Sequence, residues 1–325
     1  MKKINGNLTF DEMSSVMSEI LNGKNSDNEI AEFLRDLSNK GETNEELRAM
    51  FSKMNEYSVN INPRCHGNLI DVCGTGGDNL QTFNISTTAA FVIAGAGGSV
   101  AKHGNRSVSG ISGSADIFEY FGFDLNSEPW VVEEMIEKIG IGFMFAPKFH
   151  PAMKNVAPVR KELRLKTFFN MLGPMVNPSM PKKQMVGVYN LELARMYNYL
   201  YQNTDIEYNI IHALDGYDEI SLTGNTKVYS RTNEFILESK DFELNNIHAD
   251  SIKGGEDVES SSKIFINILN GKGSIEQENV VCANASMAIS LSKKVTIIEA
   301  FEIAKESIKS KAALKCFEKL IELMK

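Results

Sequence analysis

Three runs near the N-terminus place apolar residues at spacings of three and four behind a Ser/Thr-x-x-Glu pair, the pattern of a capped amphipathic helix. Thr9 and Glu12 open the first, with Met13, Val16, Met17, Ile20 and Leu21 as its stripe. Ser26 and Glu29 open the second, with Ile30, Phe33, Leu34 and Leu37. Thr43 and Glu46 open the third, with Leu47, Met50, Phe51 and Met54. Together they predict a small all-helical unit. Beyond it the period changes: "LIDV" reads as a buried strand, a glycine turn follows, and Ser86 or Thr87 caps a helix through "AAFVIAGA". A strand at "SVAK", a helix from Ser114 to Phe121, another after Ser127 and Pro129, and a strand at "IGFMF" continue the alternation. Strands alternating with helices of this length predict parallel pairing with crossover helices.

The stretch "HPAMKNVAPVRKELRLKTFFNMLGPMVNP" breaks that rhythm and returns the chain to the helical unit. Strands resume at "QMVGVY" and "YNIIHAL", and "TKVYS" with "EFILES" forms a small antiparallel addition. From Glu256 the pattern predicts four amphipathic helices. The expected fold is α/β, a small all-helical domain plus a large α/β domain with a mainly parallel central sheet. Residues 1–68 form the helical domain, joined by the returning segment at about 152–182, and 69–151 with 183–325 form the α/β domain.

Composition narrows the function classes. A chain of 325 residues with net charge -8 and a pI near 5.3 lacks the general basicity that phosphate neutralisation on a nucleic acid requires, so any phosphate site must be local. The longest apolar stretch, residues 89–101, is shorter than the roughly 18 residues a span needs and is interrupted by glycine, so no membrane contact is expected. The start shows no apolar export region. Cys65, Cys73, Cys282 and Cys316 form no C-x-x-C pair and read as reduced thiols in a cytoplasmic protein.

Four stretches carry candidate chemistry. "GTGGD" brings Gly74, Gly76 and Gly77 to a turn after a strand, where backbone N–H groups face outward without Cβ obstruction and suit an oxygen-rich anion. Thr82, Asn84, Ser86 and Thr87 follow at a helix start, where free N–H groups and the dipole favour phosphate. In "KHGNRSVSGISGSAD", Lys102 ends a strand, Gly104 bends the chain, and Arg106 follows with Ser107, Ser109 and Ser114 before the next helix. Two cations with several hydroxyls suit a phosphate ester or diphosphate, and strand C-termini of a parallel sheet converge on one crevice. Adjacent Asp218 and Glu219, after a strand, can both reach one hard cation such as Mg2+. Arg160, in a helix otherwise rich in apolar residues, either clamps a substrate carboxylate or caps a neighbouring helix. His103 stands beside the cationic turn; His66, His150, His212 and His248 read as structural. No Ser-His-Asp or Cys-His arrangement is apparent.

"GTGGD", "TFNIST", "KHGNRSVS", "GSAD", "NVAPVRKEL", "TFFNMLGP", "DGYDE" and "KGGE", in this order over essentially the whole chain, resemble the anthranilate phosphoribosyltransferase family. The resemblance implies a homodimer, a cleft site between the two domains, and Mg2+-assisted joining of anthranilate to phosphoribosyl diphosphate in tryptophan biosynthesis. It implies that Gly74, Gly77, Asp78, Thr82, Asn84, Ser86, Thr87, Lys102, Asn105, Ser107, Ser109 and Ser114 hold phosphoribosyl diphosphate. Gly74, Asn105 and Arg160 would meet anthranilate; Ser86, Asp218 and Glu219 would hold the metal. Lys102, His103 and Arg106 are the residues expected nearest the chemistry. Four positions depart from the family pattern: Asn79 and Arg164 where Gly is usual, Gly110 for a frequent Ser, and Ala213 for Gly before the acidic pair. Relatives of the same fold include pyrimidine nucleoside phosphorylases, against which the acidic pair and Arg160 argue, and nucleic-acid-binding paralogues, against which the charge argues.

Overall fold

Each of the three N-terminal capping boxes forms. Thr9, Ser26 and Thr43 accept from the backbone N–H three residues on, and the glutamate there reaches back, ahead of helices α1 (Phe10–Leu21), α2 (Asp27–Lys40) and α3 (Asn44–Glu56). The structure is a computed structural model that describes residues 6–65, 69–107, 110–163 and 167–324. The apolar stripes read from the sequence face one another in a single core. Val156, Val159, Phe168, Phe169, Leu172 and Val176 of the returning segment join that core, as does Leu200. An amphipathic three-helix group cannot bury its stripes alone, and this segment covers them.

The larger part runs β1 (Leu69–Gly74), α4 (Ile85–Gly95), β2 (Ser99–Gly104), α5 (Ser114–Tyr120), α6 (Pro129–Ile139), β3 (Ile141–Phe145) and α7 (Ala146–Phe149). After α8 (Ala157–Leu163) come β4 (Lys183–Gly187), α9 (Leu191–Gln202), β5 (Glu207–Ala213), β6 (Thr226–Ser230) and β7 (Glu234–Leu237). Helices α10 (Val258–Leu269), α11 (Ile275–Lys293), α12 (Ile297–Lys309) and α13 (Ala312–Glu322) close the chain. The seven strands form one sheet in the order β3-β2-β1-β4-β5-β6-β7. The first five are parallel, and β6 and β7 extend the edge antiparallel. The chain therefore winds outward from β1 in one direction, then restarts at β4 on its other side. The C-terminal ends of β1 and β4, where Gly74 pairs with Gly187, mark the point at which the winding reverses. Open α/β sheets bind ligands there, because loops diverge and leave a crevice.

The structure alters three expectations. Asn84, not Ser86 or Thr87, occupies the N-cap of α4, and its own side chain makes no capping bond there. The acidic Glu219 takes the helix N–H instead, which a local motif cannot announce. Helix α11 lacks the amphipathic character expected of it: Val280 to Ile289 is buried on all sides. It is packed against α4 and α12, and its Ala and Ser residues allow the close approach. Helix α9, unannounced between two strands, is capped by Asn190, buries Leu193, Ala194, Tyr197 and Tyr201 against β4 and β5, and turns Leu200 to the helical core.

Candidate active site

The glycine turn after β1 takes a left-handed path, with φ of 63° at Gly76, 84° at Gly77 and 59° at Asn79. Asparagine tolerates this region better than other side chains, so Asn79 serves where glycine is usual. The path turns the N–H of Gly76 onto Asp218 Oδ2, 2.8 Å away. A Cβ on Gly74 would collide with the same carboxylate, and one on Gly187 would collide with the backbone oxygen of Asp218. Two facing glycines at the ends of β1 and β4 thus make the space into which the 215–219 loop folds.

Glu219 is held from the other side, its Oε1 accepting from the N–H of Ser86 in the first turn of α4 at 3.1 Å. Lys102 reaches across from β2: its Nζ donates to Val72 O at 2.8 Å and lies 3.5 Å from Ser86 Oγ. Burial pulls the ammonium of Lys102 below its usual range, while Asp71, Cys73 and Glu219 act in the opposite sense. Burial raises Asp218 above the carboxylate range, and the charge of Asp78 adds to it. Glu219 is raised by burial and by Asp218, against Lys102 and Ser86. Burial raises Asp78 as well, so that two neighbouring carboxyls both lie above their ordinary range. Three desolvated acidic groups, with Lys102 beside Glu219, make a site short of positive charge, and perturbed acids of this kind cluster at functional sites.

The second loop is tied to the same helix start. Asn84 donates through Nδ2 to Ser112 O at 3.1 Å and accepts from Ser112 Oγ at 3.0 Å. Asn105 accepts through its backbone oxygen from Ser114 Oγ at 3.3 Å and turns its side chain onto the N–H of Arg106. Asp116 gathers the loop, accepting from Ser107 N at 3.2 Å and Gly113 N at 2.8 Å. Ser107 Oγ accepts from Gly110 N, so the glycine at that position still closes the turn. Ser109 and Arg164 lie outside the described residues. Thr82 forms an antiparallel bridge with Lys253, bringing the "KGGE" stretch against the first loop. Thr87 is buried beneath it.

Three expected residues stand apart from that network. Arg106 is turned onto α5, forming a bidentate pair with Glu119 at 2.7 Å and a contact with Asp116 at 3.0 Å. His103 is buried and packs edge to face on His150, with Nδ1 3.3 Å from Gly173 O. A carbonyl can only accept, so Nδ1 carries the proton. Burial and the neighbouring His150 push His103 down to about 3, which removes it from proton transfer near neutrality. Arg160, half-buried on α8, lies over the Phe169 ring at 5.2 Å; desolvation lowers it without discharging it. Sequence reasoning missed Gly187, Asp71, Ser112 and the organising role of Asp116. Gly187 alone left a signal, a glycine ending a strand as Gly74 does.

A helical bundle set against an α/β sheet, with an anion-ready crevice at the point where the winding reverses, is an architecture of glycosyl transfer. The pattern "Glycosyl transferase family, helical bundle domain" matches residues 2–58, and "Glycosyl transferase family, a/b domain" matches 66–314. The chain is 52% identical over 316 residues to the anthranilate phosphoribosyltransferase of Christiangramia forsetii, spanning 97% of this chain and 95% of that one. The crystal structure of the Thermus thermophilus anthranilate phosphoribosyltransferase superposes with a TM-score of 0.92 at 33% identity, covering 98% of this chain and 96% of that one. The Saccharomyces cerevisiae enzyme in complex with PRPP and Mg follows at 0.89 and 26% identity, covering 98% and 93%. The chain belongs to the anthranilate phosphoribosyltransferase family.

Proposed function

We propose that the protein transfers the phosphoribosyl group of 5-phosphoribosyl 1-diphosphate to the amine of anthranilate. The products are N-(5-phosphoribosyl)anthranilate and pyrophosphate, a step of tryptophan biosynthesis. The observation that carries this reading is the buried Asp218–Glu219 pair, hung from Gly76 and Ser86 beside Lys102. Its donors are carboxylates and a hydroxyl, with no imidazole or thiol, which fits Mg2+. No group of three His, Cys, Asp or Glu side chains among the described residues is spaced to hold a metal alone, so substrate oxygens would complete the set. Ser86, Asp218 and Glu219 would hold the ion; bound, it would neutralise charge developing on the departing diphosphate.

The chain's own groups do the rest. Gly74, Gly77, Asp78, Thr82, Asn84, Ser86, Thr87, Lys102, Asn105, Ser107 and Ser114, at the glycine turn, the start of α4 and the loop after β2, would hold phosphoribosyl diphosphate. Lys102 holds one positive charge at the meeting of β1, β2 and α4. As the C1–O bond to diphosphate breaks and the C1–N bond forms, the nitrogen becomes anilinium-like and loses its proton readily. A strong base is not required, in keeping with a His103 locked neutral. Arg160, stiffened by Phe169, would take the anthranilate carboxylate and turn the amine toward C1, a positioning contribution. The same reading assigns residues 1–68 with about 152–182 to a helical domain that closes on the α/β domain, and expects a cytoplasmic homodimer. The test is loss of anthranilate fluorescence with purified protein, Mg2+ and phosphoribosyl diphosphate; no loss under any Mg2+ concentration refutes it.

A further inference from the structure

Within the buried stretch Val280 to Ile289 of helix α11, one asparagine stands among small and apolar neighbours, and that residue, Asn284, is fully buried. Its Oδ1 accepts from the N–H of Ile220 at 3.0 Å, and its Nδ2 donates to Ile220 O at 2.9 Å and to Val280 O at 2.9 Å. All three bonds fix the amide's orientation, since exchanging its O and N would set donor against donor. The side chain therefore reads both peptide groups of Ile220 as a neighbouring strand would. Ile220 follows Glu219 directly. The acid is thus gripped on two sides, its carboxylate by Ser86 of α4 and its chain by Asn284 of α11, and the two helices pack on each other.

We infer that Asn284 is a positioning residue for the acidic pair, aligning Glu219 for metal binding through the backbone of Ile220. This rests on the proposed reading of Asp218 and Glu219 as metal ligands. Removing the amide leaves a buried N–H and C=O without partners, and the segment must shift to satisfy them. A shift of that kind moves Glu219 before it moves anything on the anthranilate side, because Arg160 stands on a different core.

The experiment compares wild type, Asn284→Ala and Asn284→Ser with Met287→Ala, which weakens the same buried helix while keeping the hydrogen bonds to Ile220. The serine hydroxyl can bond the Val280 carbonyl one turn back and is too short for Ile220, so this variant keeps the helix intact. With phosphoribosyl diphosphate present, Mg2+ affinity is measured by calorimetry, and KM values for Mg2+ and anthranilate by fluorescence. Both Asn284 variants should lose about 10-fold in Mg2+ affinity, as groups that orient metal ligands do, with anthranilate KM unchanged and turnover recovered at high Mg2+. Exchange of the Ile220 amide should quicken in both. An equal loss of Mg2+ affinity in Met287→Ala, or wild-type affinity in Asn284→Ser, overturns the inference. A wild type indifferent to Mg2+ overturns the functional reading itself, and the inference with it.

Discussion

Gly187 and Asp218 meet backbone to backbone: any Cβ on the glycine would occupy the place of the aspartate's carbonyl oxygen. The loop that carries both acids is seated directly on the end of β4, and on Gly74 of β1 beside it. Side-chain size at two strand ends decides where the acidic pair stands.

Gly187→Ala should therefore cost far more than an alanine ordinarily does. Displacing Asp218 by about 1 Å is enough to lower kcat/KM roughly 100-fold. Steady-state kinetics on the variant check this, and an enzyme within error of wild type would show that the loop adjusts freely.

Asp218→Asn with Glu219→Gln should separate stability from function. Burial raises both acids, with Asp78 adding to it at Asp218 and Asp218 adding to it at Glu219, so their charged forms oppose folding. Neutral replacements should melt higher than wild type without Mg2+, show no Mg2+-dependent rise in melting temperature, and turn over no anthranilate. Thermal melts with and without Mg2+ decide it; a retained Mg2+ response would remove these residues from the metal site.

Arg160→Ala should raise the anthranilate KM about 10- to 100-fold by removing a bidentate carboxylate partner, with the KM for phosphoribosyl diphosphate little changed. Phe169→Leu removes the ring beneath the guanidinium and should shift anthranilate KM in the same direction by less. A change confined to phosphoribosyl diphosphate would reassign Arg160.

The His103–His150 pair predicts acid sensitivity. Burial, aided at His103 by its neighbour, lowers these rings to about 3 and about 4 from 6.5. The unfolded chain binds protons that the folded one refuses, so their contribution is complete above the ordinary histidine range and is lost as pH falls toward the lowered values. Urea unfolding at about pH 7 and about pH 5 should show a steep loss in wild type and a shallower one in His150→Gln. Equal slopes would mean that other groups dominate the acid limb.

How much was legible beforehand follows from the range of each interaction. The three capping boxes, the strand and helix alternation and the residues Gly74, Ser86, Lys102, Asp218 and Glu219 all stood in local pattern or in motif order. A Thr9–Glu12 box closes within one turn, and a strand's apolar run declares burial wherever it ends up. Arg106 illustrates the limit. Its place beside Lys102 implied a phosphate contact, whereas Glu119, in the last turn of α5, takes its guanidinium.

The chain by itself determined its elements, its family and which loops carry the acids and cations, because those depend on spacing, propensity and motif order. Tertiary structure alone decided that Glu219 caps α4, that His103 is sealed neutral against His150, that Gly187 leaves room for Asp218 and that Asn284 grips Ile220. Each of these joins residues far apart in the chain through desolvation or close contact, and neither quantity exists until the sheet and its helices have packed.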